Sequence, residues 1–130
     1  MLEAVNLRLW IRGARPRTLT TSVASVMVGA AMARLHIGQM GTCIAIHLEP
    51  ASCAASRAQQ SLLLGRFWPV AILCLLVALF LQIAVNYAND YSDGIRGTDA
   101  GRGADESKSG KPQRLTASGL VPAKHVLAAA

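Results

Sequence analysis

The chain has 130 residues, of which 52% are hydrophobic and 15% charged, and its mean hydropathy is +0.36. Soluble domains carry about 25% charged residues, so this composition disfavours a soluble domain and favours a membrane protein. The net charge of +6 would suit a nucleic-acid binder, but aromatic residues make up only 5% of the chain. The basic residues also flank apolar runs, as they do in membrane proteins, so we expect no nucleic-acid partner.

The N-terminal region combines an interfacial segment with a first membrane span. Residues 1–17 mix four arginines with apolar side chains, which predicts a short helix at the membrane surface with Trp10 at headgroup level. Pro16 suits the first turn of a helix, so we expect it to open the next one. The first span is predicted over about 18–35, slightly short of the roughly 20 residues that cross a bilayer.

The strongest prediction is a second span over residues 67–88. The stretch from Phe67 to Asn86 is 20 residues long and uncharged, which matches the thickness of a bilayer core. Residues 36–61 are predicted to be an irregular connection, because Gly38, Gly41, Pro50 and two Ser-Ala patches interrupt the pattern. Cys43 and Cys53 are expected to be free thiols, with a disulfide as the alternative if this connection faces an oxidising space.

A polar, Gly-rich loop is predicted over residues 89–119, followed by the start of a third apolar helix from residue 120. The apolar pattern continues for 11 residues to Ala130, which is too few to cross a bilayer, so we expect a truncated chain. Four basic residues lie in the N-terminal segment, six lie in 89–124, and three lie in 34–66. The positive-inside rule therefore places the N-terminus and the acidic loop in the cytoplasm.

The chemistry is concentrated at the end of the second span. Helical spacing places Gln82, Asn86, Asn89, Asp90 and Asp93 on one broad stripe. A helix C-terminus already carries partial negative charge, so carboxylates there call for a bound cation. Oxygen ligands select Mg²⁺ or Ca²⁺, and Mg²⁺ typically uses one or two carboxylates and completes its shell with water and phosphate oxygens.

Two bases further along, Lys111 and Arg114, are suited to holding the outer oxygens of a phosphate group. The stripe and these bases together predict a site for a diphosphate on a lipid tail. A solvated loop of mixed charge is an equally weighted alternative from spacing alone. An EF-hand does not fit, because the acidic residues have the wrong register and no Glu follows at the twelfth position.

Three segments resemble the UbiA superfamily of membrane prenyltransferases, and within it the 1,4-dihydroxy-2-naphthoate prenyltransferases of menaquinone biosynthesis. The segment 10–19, WIRGARPRTL, is similar to the family's N-terminal W-x-x-x-A-R-P-R-T-L signature. The segment 81–99, LQIAVNYANDYSDGIRGTD, resembles its first Asp-rich motif, N-D-Y-x-D-G-x-x-G-x-D. The segment 111–119, KPQRLTASG, resembles G-P-x-R-L-T-x-S-G, with Lys111 where glycine is usual.

The resemblance implies an all-α, multi-span membrane bundle in which Mg²⁺ and two Asp-rich motifs hold a polyprenyl diphosphate. Ionisation of the polyprenyl diphosphate releases diphosphate and gives an allylic cation. The cation bonds to the electron-rich aromatic ring of 1,4-dihydroxy-2-naphthoate, and decarboxylation yields demethylmenaquinone. Residues 1–130 would form the N-terminal part of one such domain in the cell membrane. The resemblance and the stripe together give Asp90 and Asp93 as candidate catalytic residues, Asn89, Asp90, Asp93 and Asp99 as metal ligands, and Asn86, Asn89, Lys111, Arg114, Arg15 and Arg17 as substrate-binding residues.

The second Asp-rich motif of the family is absent, so we expect the chain to be inactive on its own. Two other functions remain open. One is a prenyltransferase that uses another aromatic acceptor, such as 4-hydroxybenzoate, although the Asp93-Gly-x-x-Gly-x-Asp pattern favours the naphthoate enzymes. The other is a non-catalytic membrane protein with two spans and a basic loop.

Overall fold

The computed structural model describes residues 7–40, 50–98 and 114–130. Two predicted site residues, the metal ligand Asp99 and the substrate-binding residue Lys111, lie outside the described residues. The described ranges contain α1 (Leu7–Gly13), α2 (Pro16–Met40), α3 (Pro50–Ile95) and α4 (Ala123–Ala129), and no strand. Both α2 and α3 are long and apolar enough to cross a membrane. The predicted all-α class with two long apolar helices is therefore confirmed.

Helix α2 begins at Pro16, as predicted, and continues for 25 residues to Met40. The fixed φ of proline suits the first helical position, where its missing N–H would have had no partner within the helix. The carbonyl of Arg15 accepts hydrogen bonds from the Thr18 N–H and the Thr18 hydroxyl, both at 2.9 Å. These bonds fix the start of the helix, which ends five residues beyond the predicted span of 18–35.

Helix α3 is much longer than the predicted span, with 46 residues from Pro50 to Ile95. The prediction of an irregular connection over 36–61 is therefore wrong for residues 36–40 and 50–61. Residues 51–64 are rich in Ala, Gln and Leu, which have high helix propensity, so their scattered serines do not interrupt the helix. The predicted loop over 89–119 also begins too early, because residues 89–95 continue α3.

A glycine ends α3. Gly97 has a φ of +71°, a left-handed conformation that costs glycine little. The Thr98 N–H donates to the Asp93 carbonyl at 3.1 Å, and the Gly97 N–H donates to the Gly94 carbonyl at 3.4 Å. This pair of bonds is a Schellman motif, which satisfies carbonyls that the helix itself leaves open.

The chain divides into two compact units, one of which is Thr21–Ala78. Within it, the Gln60 side chain donates to the carbonyls of Ile37 and Gly38 at 3.1 and 3.0 Å, near the end of α2. The Arg34 guanidinium lies 5.6 Å from the centre of the Phe67 ring, a cation–π contact. Cys53 is disulfide-bonded, so the expectation of a free thiol there is wrong, whereas Cys74 is free.

The other unit combines Met1–Thr20 with Leu79–Ala130. Its described residues form a small apolar core that joins α1, the last turns of α3 and the segment 115–126. Leu115 and Val126 are fully buried in it. The buried members of this core are Ala14, Tyr87, Leu115, Val121 and Val126.

Candidate functional site

The polar stripe of α3 separates into a buried pair and a more accessible pair. Asn86 is 4% exposed and Asp90 2% exposed, whereas Asn89 is exposed and Asp93 is half-buried. Each pair has the i, i+4 spacing that makes side chains neighbours on a helix. The sequence correctly predicted one polar face on this helix. Only the fold distinguishes its buried edge, Asn86 and Asp90, from its accessible edge, Asn89 and Asp93.

Asn86 binds the junction between α1 and α2. Its Nδ2 donates to the Ala14 carbonyl at 2.7 Å and to the Thr18 hydroxyl oxygen at 2.9 Å. Its Oδ1 accepts a long hydrogen bond of 3.5 Å from the Gln82 amide. The side chain therefore holds the two residues that flank the turn at Arg15.

Arg15 has an unusual backbone conformation at that turn. Its φ is +53°, which costs a residue with a side chain about 1–2 kcal/mol. The following Pro16 makes the right-handed helical region unfavourable as well. The Arg15 Nε and Nη2 atoms are buried, whereas Arg17 is exposed on the first turn of α2.

Asp90 binds a turn that lies 25 residues further along the chain. Its Oδ2 accepts hydrogen bonds from the backbone N–H groups of Leu115 and Thr116, each at 3.0 Å, and from the Thr116 hydroxyl at 3.3 Å. The turn over residues 115–119 is closed by Gly119, which has a φ of +69°. A carboxylate from α3 thus satisfies the N–H groups at the start of the turn, as an N-cap does for a helix.

Arg114, immediately before this turn, reaches the accessible edge of the stripe. Its Nη1 lies 3.7 Å from Asp93 Oδ2, and the two side chains are 17% and 41% exposed. The fold therefore brings together Arg114 and Asp93, two of the predicted site residues. It also brings Arg15 and Arg114 to the same end of α3, through the contacts of Asn86 and Asp90.

The sequence did not identify several residues that build this end of the helix. Tyr87 donates its hydroxyl to the Trp10 carbonyl at 2.9 Å, and the two rings pack edge to face with centres 5.5 Å apart. A Cβ added to Gly13 would lie 2.6 Å from Leu115 Cδ1. A pattern in the sequence could have identified Tyr87 as a core residue. Ile83, Tyr87 and Tyr91 are spaced four residues apart, so they lie on one face of the helix, and all three side chains pack in the core.

Gly94 is a close-packing position between α3 and the turn 115–119. A Cβ added there would lie 2.5 Å from Thr116 Cβ and 3.4 Å from the Ala117 nitrogen. We expect Gly94→Ala to displace the turn and destabilise this unit by about 1–3 kcal/mol, the usual cost of overpacking. Faster amide hydrogen exchange at Leu115 and Thr116 would report the displacement.

Gly29→Ala is the matched control for that substitution. A Cβ at Gly29 meets nothing within 4 Å, and alanine is favoured over glycine inside a helix by about 0.5–1 kcal/mol. It should leave exchange at Leu115 and Thr116 unchanged. Equal protection of these amides in the two variants would show that Gly94 does not set the packing.

The accessible edge has the right chemistry for a hard cation. Magnesium takes one or two carboxylates and fills its remaining positions with water and phosphate oxygens. Asp93 supplies a partly exposed carboxylate, and Asn89 supplies an exposed amide oxygen one turn earlier. No group of three or more His, Cys, Asp or Glu side chains comes together within the described ranges, so a cation here would depend on water and ligand oxygens.

The chain is similar to several curated proteins called 1,4-dihydroxy-2-naphthoate octaprenyltransferase. It is 40% identical to that of Mycobacterium leprae over 121 residues and 39% identical to that of Mycobacterium tuberculosis over 122 residues. It is 29% identical to that of Haemophilus influenzae over 121 residues. No protein-family model matches the chain, and no solved structure matches it either. These alignments cover 93% of the chain, which spans about 30% of the length of the relatives it matches.

Proposed function

We propose that this chain is part of a membrane prenyltransferase that transfers a polyprenyl group from polyprenyl diphosphate to 1,4-dihydroxy-2-naphthoate, giving demethylmenaquinone. One observation carries the proposal: the described parts of the three family-like segments meet in a single folded unit. Asn86 of the Asp-rich segment contacts Ala14 and Thr18 of the first segment. Asp90 of the same segment contacts Leu115 and Thr116 of the third.

The proposed site lies at the accessible edge of α3. Asn89 and Asp93 would hold Mg²⁺ there, since they supply the oxygen ligands that this ion prefers. When bound, the ion would neutralise charge on the diphosphate as it leaves the prenyl chain. Asp99 remains a predicted additional ligand, and Lys111 a predicted contact of the diphosphate.

Arg114 would meet the diphosphate itself. Its guanidinium lies beside Asp93, so it would stand next to a cation held by that carboxylate. Arginine can bind phosphate oxygens through two parallel hydrogen bonds. Arg15 would add a second positive charge from the α1–α2 junction, with Arg17 further out.

The membrane context supports a lipid-linked substrate. Large apolar side chains such as Met27 and Phe80 are 66% and 68% exposed on α2 and α3, as lipid-facing residues would be. The distribution of basic residues supports a cytoplasmic position for the N-terminus and for the end of α3. The polar acceptor and Mg²⁺ would then reach the site from the cytoplasm of a cell-membrane enzyme.

A chimera tests the proposal. In the Mycobacterium tuberculosis relative, the 122 aligned residues would be replaced by the matching part of this chain and the protein assayed in membranes. The assay would contain radiolabelled polyprenyl diphosphate, Mg²⁺ and 1,4-dihydroxy-2-naphthoate, with 4-hydroxybenzoate as a competing acceptor. We expect labelled demethylmenaquinone from the chimera and none from this chain alone.

Three results would contradict parts of this proposal. A chimera that inserts normally but forms no product would support the alternative of a non-catalytic membrane protein. Product formed only with 4-hydroxybenzoate would favour the alternative acceptor. Product from the chain alone would overturn the expectation that it is inactive by itself.

A further inference from the structure

We propose that Asn86 and Asp90 are positioning residues, which hold the two arginine-bearing segments against α3 and do not themselves ligate the cation or the diphosphate. This assigns both residues a role different from the direct ligation predicted from sequence. The identity of the anion that the arginines meet rests on the proposed function. The positioning itself rests on contacts within the described residues.

The first half of the inference concerns Asn86. Its side chain is 4% exposed, and its two donor hydrogens are directed to the Ala14 carbonyl and the Thr18 hydroxyl. These partners stand immediately before and three residues after Arg15. Because Arg15 adopts an unfavourable φ of +53°, the turn needs such outside contacts to persist.

The second half concerns Asp90. Three donors from Leu115 and Thr116 converge on one carboxylate oxygen, Oδ2. The side chain is 2% exposed, so an incoming ligand has little access to it. Hydrogen bonds from N–H groups to a carboxylate are about twice as strong as those between neutral groups. Asp90 is therefore well suited to hold the short turn 115–119 in place.

The two contacts divide the stripe by task. The buried edge, Asn86 and Asp90, binds protein, and the accessible edge, Asn89 and Asp93, is left to bind ligand. Arg114 directly precedes the turn that Asp90 holds and lies 3.7 Å from Asp93. Asp90 therefore acts on the site through the placement of Arg114.

A matched pair of variants tests the role of Asp90 in the 130-residue chain reconstituted in lipid nanodiscs. Asp90→Asn keeps the shape of the side chain but removes its charge, so we expect exchange at the Leu115 and Thr116 amides to rise about tenfold. Asp90→Ala should raise it further. Asp93→Asn should leave these amides within about threefold of the original rate, since its ion pair with Arg114 is partly exposed.

Binding of Mn²⁺, a paramagnetic ion that shares the oxygen ligands of Mg²⁺, separates positioning from ligation. Broadening of the NMR signal of the Gly94 amide by Mn²⁺ would measure the affinity of the chain for this ion. We expect Asp93→Asn to weaken Mn²⁺ binding about tenfold or more and Asp90→Asn to change it less than about threefold. Loss of Mn²⁺ binding in Asp90→Asn with unchanged exchange at Leu115 and Thr116 would overturn the inference.

The same measurements test Asn86. Asn86→Asp places a carboxylate oxygen against the Ala14 carbonyl, so exchange at the Thr18 amide should rise about tenfold while Mn²⁺ affinity stays unchanged. Unchanged exchange at Thr18 would overturn this half. If the original chain binds no Mn²⁺, the metal-binding part of the proposed function fails, and the exchange rates still decide whether Asn86 and Asp90 position their segments.

Discussion

Asp93→Asn in the chimera is expected to lower the rate of prenyl transfer by about 100-fold or more, which is the usual effect of removing one electrostatic contact at a reacting centre. The substitution takes a negative charge from the accessible edge of α3 and should weaken any cation held there. The measurement is the rate of demethylmenaquinone formation at the Mg²⁺ and substrate concentrations that saturate the unsubstituted chimera. Restoration by raised Mg²⁺ would indicate weakened ion binding.

Misfolding of the Asp93→Asn variant would be another explanation for that loss, and the structure argues against it. The Asp93–Arg114 pair is 3.7 Å apart and its carboxylate is 41% exposed, and such pairs contribute only about 0–1 kcal/mol to stability. The variant should therefore fold and insert normally. Arg96→Gln is the control, because Arg96 is exposed at the same end of α3 and has no proposed role. A comparable loss in both variants would contradict a specific function for Asp93.

Leu115→Ala is expected to destabilise the unit that carries the site by about 2–5 kcal/mol, the usual range for removing a buried leucine side chain. Leu115 is fully buried and packs against the helix α1 at Gly13. Its backbone N–H is also one of the groups that Asp90 binds. The cavity should therefore loosen the turn that positions Arg114.

Trp10 provides a probe for this measurement, because its ring packs against Tyr87 in the same core. In a Trp68→Phe background, its fluorescence during urea unfolding in nanodiscs would report this unit alone. Leu120→Ala is the control: Leu120 lies in the same segment but is 57% exposed, so its loss should change stability by less than about 0.5 kcal/mol. Similar effects of the two variants would show that Leu115 does not anchor the core.

Local patterns predicted the features of the fold that depend on neighbouring residues. The uncharged stretch from Phe67 to Asn86 marked a long apolar helix because burial in lipid depends directly on composition. Pro16 marked the start of α2 through its fixed φ. The polar stripe on α3 followed from helical periodicity, which sets which side chains share a face.

Helix boundaries were less predictable. Pro50 and the Ser-Ala patches of residues 50–61 suggest a loop, but the alanine and glutamine residues there, with the leucines that follow, support a helix that joins the apolar one. The polarity of residues 89–95 suggests a loop, whereas they continue the helix. Polarity indicates exposure to water or a bound ion, and it does not by itself end a helix.

The sequence by itself determined that this chain is helical and apolar, and that amides, carboxylates and arginines gather near one end of its second long helix. Only the tertiary structure decided which of these groups bind protein and which face outward. Asn86 contacts Ala14 across 72 positions and Asp90 contacts Leu115 across 25. Periodicity reports neighbours three or four residues apart, whereas these partners depend on the path of the chain and on a shared apolar core.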